Sequence, residues 1–217
     1  MKSLIILLKQ LIKFLYINIY IIMGRSTKQL DYNNVVNVNL KGMKKEDKRE
    51  DFCFEVFRGY GETKEVIEPK ATSIKWRLKK VEVGGYDYTD KETGKTRRNK
   101  TITFYLDDGE QTIKYWTGYN MVSRQIIYNL ASIEWEIGEI ELSPYWSKKW
   151  YRNIWVKNNG EDVRMKFDFN TDIKAKCHYS EEFQKTSYTE LDKWIDEELI
   201  PEINHKLEEQ EKDELPF

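Results

Sequence analysis

From residue 72 to residue 169 the apolar side chains recur at every second position, and this period is what most restricts the fold. "SIKWRLKKVEV" sets Ile74, Trp76 and Leu78 on one face and Lys75, Arg77 and Lys79 on the other. "TITFYLDDGEQTIKYWTGY" reads as a hairpin turning at Asp107-Asp108-Gly109. Ile102, Phe104, Leu106, Ile113 and Tyr115 alternate inward in it, which leaves Thr103, Tyr105, Lys114 and Trp116 outward. "EIELSPYW" and "NIWVKN" bury Ile140, Leu142, Ile154 and Val156, and turn Trp155 and Lys157 out. "VRMKFDF" reads as a last strand. A chain patterned this way buries one face of a sheet and leaves the other to water or a ligand.

One stretch inside this region follows a helical period instead. Asn120 stands at a capping position, and Val122, Ile126, Ile127, Leu130 and Ile133 recur three and four apart. Three strands, a helix and two strands is the order of the OB-fold, a five-stranded Greek-key barrel. The expected fold is therefore mainly β: an OB barrel over 70–172, with its helix between strands 3 and 4. Around it stand an N-terminal extension (23–69), a C-terminal helical segment (180–207) and an acidic stretch (208–217) too poor in apolar residues to pack. In the helical segment Leu191, Trp194, Ile195 and Leu199 form one stripe, and Pro201 breaks or restarts the helix. Residues 1–22 are apolar but interrupted by Lys9 and Lys13; they read as a leader upstream of a true start at Met23, with an anchoring helix or a signal segment as the other readings.

The OB order gives the outward side chains a use. Its ligands lie on strands 2–3 and on the loops joining strands 1–2 and 4–5. The first excursion, 84–100, carries Tyr86, Tyr88, Lys95, Arg97, Arg98 and Lys100. The second reads "YWSKKWYR" and carries Trp146, Lys148, Lys149, Trp150, Tyr151 and Arg152. Rings interleaved with cations suit single-stranded nucleic acid: unpaired bases stack at about 1–3 kcal/mol each, and Lys and Arg meet the phosphates. The candidate set is completed by Lys75, Arg77, Lys79, Tyr105, Lys114, Trp116 and Trp155. The same outward rings also suit a protein interface, including self-association.

No Gly-rich phosphate loop, metal-ligand spacing or nucleophile–base arrangement is present, so the expectation is a binding protein without catalytic residues, metal or cofactor. Cys53 and Cys177 stand far apart, as in a reducing, cytoplasmic setting. Charge divides the chain. From Glu181 onward there are 13 acidic residues and 4 Lys, net −9; the first 180 residues hold 32 basic and 24 acidic, net +8. A basic body with an acidic end attracts polyanions and recruits basic partners.

The last residues, Asp213-Glu214-Leu215-Pro216-Phe217, complete the pattern. An acidic segment ending in an apolar residue, Pro and Phe resembles the C-terminal tip of single-stranded-DNA-binding proteins. The resemblance implies an OB body that coats single-stranded DNA with little sequence preference in replication, recombination and repair. It also implies a tip, here Asp213 to Phe217, that recruits replication and recombination proteins. The chain lacks that family's Gly/Gln/Pro-rich linker and resembles a phage-encoded member more than a bacterial housekeeping one. An RNA-binding OB module and a structural or interaction protein remain the alternatives.

Overall fold

A computed structural model describes residues 35–43, 48–59, 61–90, 93–107, 112–147 and 151–213. The apolar leader (1–22), the turn residues Asp108 and Gly109, the loop residues Lys148, Lys149 and Trp150, and the tip Glu214–Phe217 lie outside them.

Among the described residues nine strands form one mixed sheet in the order β3-β2-β1-β6-β5-β4-β7-β8-β9. The strands read from the period-two pattern are β4 (Ile74–Thr89), β5 (Thr96–Asp107), β6 (Thr112–Gly118), β7 (Glu139–Trp146) and β8 (Arg152–Asn158). They occupy consecutive places in the sheet. Closing them into a barrel would require β8 to pair with β6, and that pairing is not made. Instead β1 (Val36–Leu40) lies parallel to β6, with Val36 opposite Ile113 and Val38 opposite Tyr115. At the other edge, Gln125 Oε1 accepts a hydrogen bond from the Ile154 N–H at 3.2 Å. The expected closed barrel is thus an open, curled sheet, because the N-terminal region supplies the strand that satisfies the β6 edge.

That region is no separate extension. β1 pairs with β2 (Phe54–Arg58), and β2 with the edge strand β3 (Glu65–Ala71). Pro69 lies inside β3, which has a partner on one side only, so a missing N–H is tolerated. The Phe52 and Trp146 rings meet edge to face at 6.1 Å, bringing the β1–β3 end of the sheet against the end of β7.

The helix α1 (Met121–Ala131) forms where the period changes. The Asn120 side chain accepts from the Val122 and Ser123 N–H groups, and Ser123 Oγ accepts from the Asn120 N–H, a reciprocal cap. Its apolar side joins Phe104, Tyr115 and Ile154 in one core. Val163 to Phe169, expected as a last strand, carry no strand; the large sheet ends with β9 (Glu161–Asp162), and Phe169 opens a π turn (Phe169–Ile173). A small hairpin follows, β10 (His178–Ser180) with β11 (Lys185–Ser187).

The C-terminal helical segment belongs to the same core. α2 (Thr189–Trp194), a π turn (Ile195–Leu199) and α3 (Ile200–Asp213) run on without a break, and Leu191, Ile195, Leu199, Ile203 and Leu207 are buried. Pro201 neither breaks nor restarts it. The wider π turn just before it, closed by Ile200 N–H on Ile195 O, makes room for the ring. Helix also continues through Glu208–Asp213, which composition marks as unstructured. Gln210 holds both the N–H and the C=O of Ile137, at 3.3 and 3.4 Å, and Glu211 reaches Lys79 at 3.3 Å. Asn204 does the same for β4: past Arg77 that strand has no partner on its β7 side, and the Asn204 amide bonds Val81 N–H and C=O, each at 2.8 Å.

Candidate nucleic-acid interface

The two faces of the central ladder can be followed row by row. Phe104 opposite Tyr115 lies inside, the rings stacked at 5.4 Å. Their neighbours Thr103 opposite Trp116 and Tyr105 opposite Lys114 lie outside. On β4 the rows continue with Glu82 beside Thr103 and Lys80 beside Tyr105.

Lys80 is a residue the simple alternation misses. Leu78 and Val81 are both buried, three positions apart, so one extra residue must be accommodated between them. The register shifts between Leu78 and Lys80, a β-bulge that brings Lys80 to the outer face. The double lysine inside the alternating run was the available signal.

Beyond the ends of β6 and β7, β4 and β5 continue as a two-stranded arm, where sequence polarity reads as a loop. Tyr88 stands opposite Arg97, Tyr86 opposite Asn99 and Asp87 opposite Arg98. By alternation Tyr86, Tyr88 and Arg97 share the outer face with Trp116. Tyr86 and Trp116 meet with ring centroids 5.9 Å apart. The row between them is Gly84, Thr101 and Gly118, and Thr101 is buried although it points outward. A methyl group at Gly84 would come within 3.3 Å of Thr101 Oγ1, so glycine leaves the rings their room. Trp116, Tyr86 and Tyr88 are 44–50% exposed.

Tyr105 is flanked by cations. Lys114 Nζ lies 5.4 Å and Lys80 Nζ 5.9 Å from its ring centroid, and its hydroxyl donates to Glu82 at 2.7 Å. That hydrogen bond, with Lys80 and Lys114 nearby, holds the Glu82 carboxyl below its ordinary pKa.

A second outer pair stands at the far end of the face. Trp155 lies in register with Ser143 and Tyr145 with Asn153, and the Tyr145 and Trp155 rings meet at 5.6 Å. Asp162 accepts from the Trp155 indole N–H at 2.8 Å, which fixes the ring edge and leaves a face open. Tyr145 opens the "YWSKKWYR" excursion in the sequence, but the structure places it inside β7. The nearest rings of the two pairs, Trp116 and Trp155, are roughly 25 Å apart along the strands at about 3.3 Å per residue.

Between the pairs the charge is balanced. Lys75 meets Glu139 at 2.6 Å, Lys79 meets Glu211 at 3.3 Å, and Arg77 stands in register between Asp107 and Glu139. These three, expected as a cationic strip, face carboxylates instead. Trp146 is half-buried between Phe52 and the Arg152 guanidinium, which lies 4.6 Å from its ring centroid. Tyr151 is exposed, and Arg98 lies on the opposite side of the arm from Tyr88.

The C-terminal acids meet the body as well. Arg124, almost buried, donates through Nε and Nη2 to Asp192 Oδ1 at 3.0 and 2.7 Å. Asp196 takes Lys100 and the Tyr119 hydroxyl. Burial, then that hydrogen bond, drives the Tyr119 pKa well above the usual phenol range. Among the described residues no cluster of three His, Cys, Asp or Glu is placed to hold a metal, and no helix is long and apolar enough to cross a membrane. Comparison with protein-family models, curated proteins and solved structures finds no match for this chain.

Proposed function

We propose that the protein binds single-stranded DNA, with little sequence preference, along the outer face of β4, β5 and β6 and their arm. The observation that carries this is the open ring pair Tyr86–Trp116, continued by Tyr88 and by Tyr105 between Lys80 and Lys114. Flat exposed rings stack on unpaired bases of any identity, and the lysines meet phosphates. The strand order β6-β5-β4-β7-β8 with α1 after β6 supports an OB-type ancestry, opened between β6 and β8 and with β1 on the freed edge. In this reading the strand is gripped mainly by stacking, because the cations midway along the face already have carboxylate partners. The tip from Asp213 to Phe217 would recruit replication or recombination proteins through its acids and terminal ring.

The test is a titration of tryptophan fluorescence with oligo-dT, oligo-U and duplex DNA at two salt concentrations. Quenching by oligo-dT, weaker for duplex, is expected, with a shallow salt slope of about −2 if three phosphates are met. No quenching by any oligonucleotide overturns the proposal; tighter binding of oligo-U makes RNA the ligand.

A further inference from the structure

Of the two ring pairs on the outer face, the second repeats the first. Tyr86–Trp116 and Tyr145–Trp155 each set one tyrosine against one tryptophan, with centroids 5.9 and 5.6 Å apart and planes crossing at 42° and 53°. The indoles are 44% and 48% exposed, the phenols 47% and 38%. Each pair is also set before any ligand arrives. The row of Gly84, Thr101 and Gly118 leaves room for the first, and the Asp162 carboxylate holds the indole edge of the second. A ring fixed in advance loses little freedom when a base stacks on it.

The sheet joins the two pairs without a gap. Trp116 lies in register with Thr103 on β5, and Thr103 with Glu82 on β4. Trp155 lies opposite Ser143 on β7, and β7 pairs with β4 from Leu142–Ile74 to Glu139–Arg77. The offset is roughly 25 Å along the strands and four strand spacings of about 4.8 Å across them, a path of roughly 30 Å over the surface. Past Tyr105 that path crosses charges that face one another: Lys75 meets Glu139, and Lys157 stands in register between Glu141 and Asp162. Among the described residues the middle of the path presents no outward ring to a base. Stacking surface is thus concentrated at the two ends.

We infer that Tyr145–Trp155 is a second stacking subsite for the same DNA strand, so that the protein grips single-stranded DNA at two separated points and selects chains long enough to reach both. The inference rests on the proposed function and deepens it. Two weak contacts joined by one flexible chain act together. Once one end is stacked, the other is held at high local concentration, and affinity rises by about 10²–10⁴ for a ligand that spans both and not at all for one that cannot. A stacked strand advances about 3.4 Å per nucleotide, so roughly nine nucleotides cover the path and an extended strand needs fewer.

The test titrates the full chain with oligo-dT of about 4, 8, 12 and 16 nucleotides, read by tryptophan fluorescence. Affinity should climb about 100-fold from the shortest to the third length and little thereafter. In Trp155→Ala, with the circular dichroism unchanged, the climb should shrink to about fivefold or less. Trp155→Phe, which keeps a ring to stack on, should recover most of it. The third length made without bases at its central positions should bind within about threefold of the intact one, because the middle of the path stacks nothing. A rise with length that Trp155→Ala leaves as it was, or a collapse of binding when the central bases are removed, overturns the inference while the proposed function stands. No quenching at any length overturns the proposed function and the inference with it.

Discussion

Tyr115 and Trp116 are neighbours in one strand and have opposite circumstances. Tyr115 is fully buried between Phe54 and Phe104, with centroids 5.4 Å away on each side. Trp116 has 44% of its surface exposed and touches Tyr86 across a row containing two glycines. The inner face spends its aromatics on cohesion. The outer face keeps comparable rings open and positions them by register alone. Ring content therefore says nothing about purpose until the face is known.

Breaking the inner face should have the largest effect. Tyr115→Ala should lose about 3–5 kcal/mol of stability, read as a urea midpoint, while Trp116→Ala stays within about 0.5 kcal/mol. Equal losses would show that the faces do not divide the labour. Next comes the seam with the C-terminal helix. Arg124→Ala leaves Asp192 without its partner in a partly covered place, and a loss of about 1–3 kcal/mol is expected in the same measurement.

On the outer face the expected loss is in binding. Trp116→Ala should weaken oligo-dT binding by about 5- to 150-fold, equivalent to about 1–3 kcal/mol, with the fold intact by circular dichroism. A smaller effect concerns pH. The Glu82 pKa is lowered in the folded protein, so its stabilisation is present above the unfolded carboxyl pKa of about 4.3 and fades as pH falls through the folded value. Tyr105→Phe removes the hydrogen bond and should flatten the dependence of the urea midpoint on pH between about 3 and 5. The smallest effect sharpens the contrast from the other side: Lys75→Ala, which removes a cation already facing Glu139, should change oligo-dT affinity less than twofold by fluorescence titration.

The legible part of this architecture was the part that buries something. Ile102, Phe104 and Leu106 announce their strand, and Val122 to Ile133 announce their helix, because water penalises any other placement. The arm beyond Gly84 was not legible: with polar residues on both sides, nothing in "YDYT" and "TRRN" distinguishes a ribbon from a loop. The parallel pairing of Val36–Val38 with Ile113–Tyr115 was equally hidden, since it depends on a contact across more than seventy residues. Of the candidate interface, Trp116, Tyr105 and Trp155 were found by alternation. Lys80 was lost to a bulge, and the carboxylates that face Lys75, Arg77 and Lys79 were hidden because they come from β5, β7 and α3.

The Asn204 clamp on Val81 also has a meaning in time. The two residues are 123 positions apart, so a ribosome adding about 5–20 residues per second delivers Asn204 roughly 6–25 s after Val81. Throughout that interval the β4 edge past Arg77 lacks its amide partner and can recruit any other extended segment nearby. Newly made chains are therefore open to pairing with one another until α3 emerges and shuts the edge.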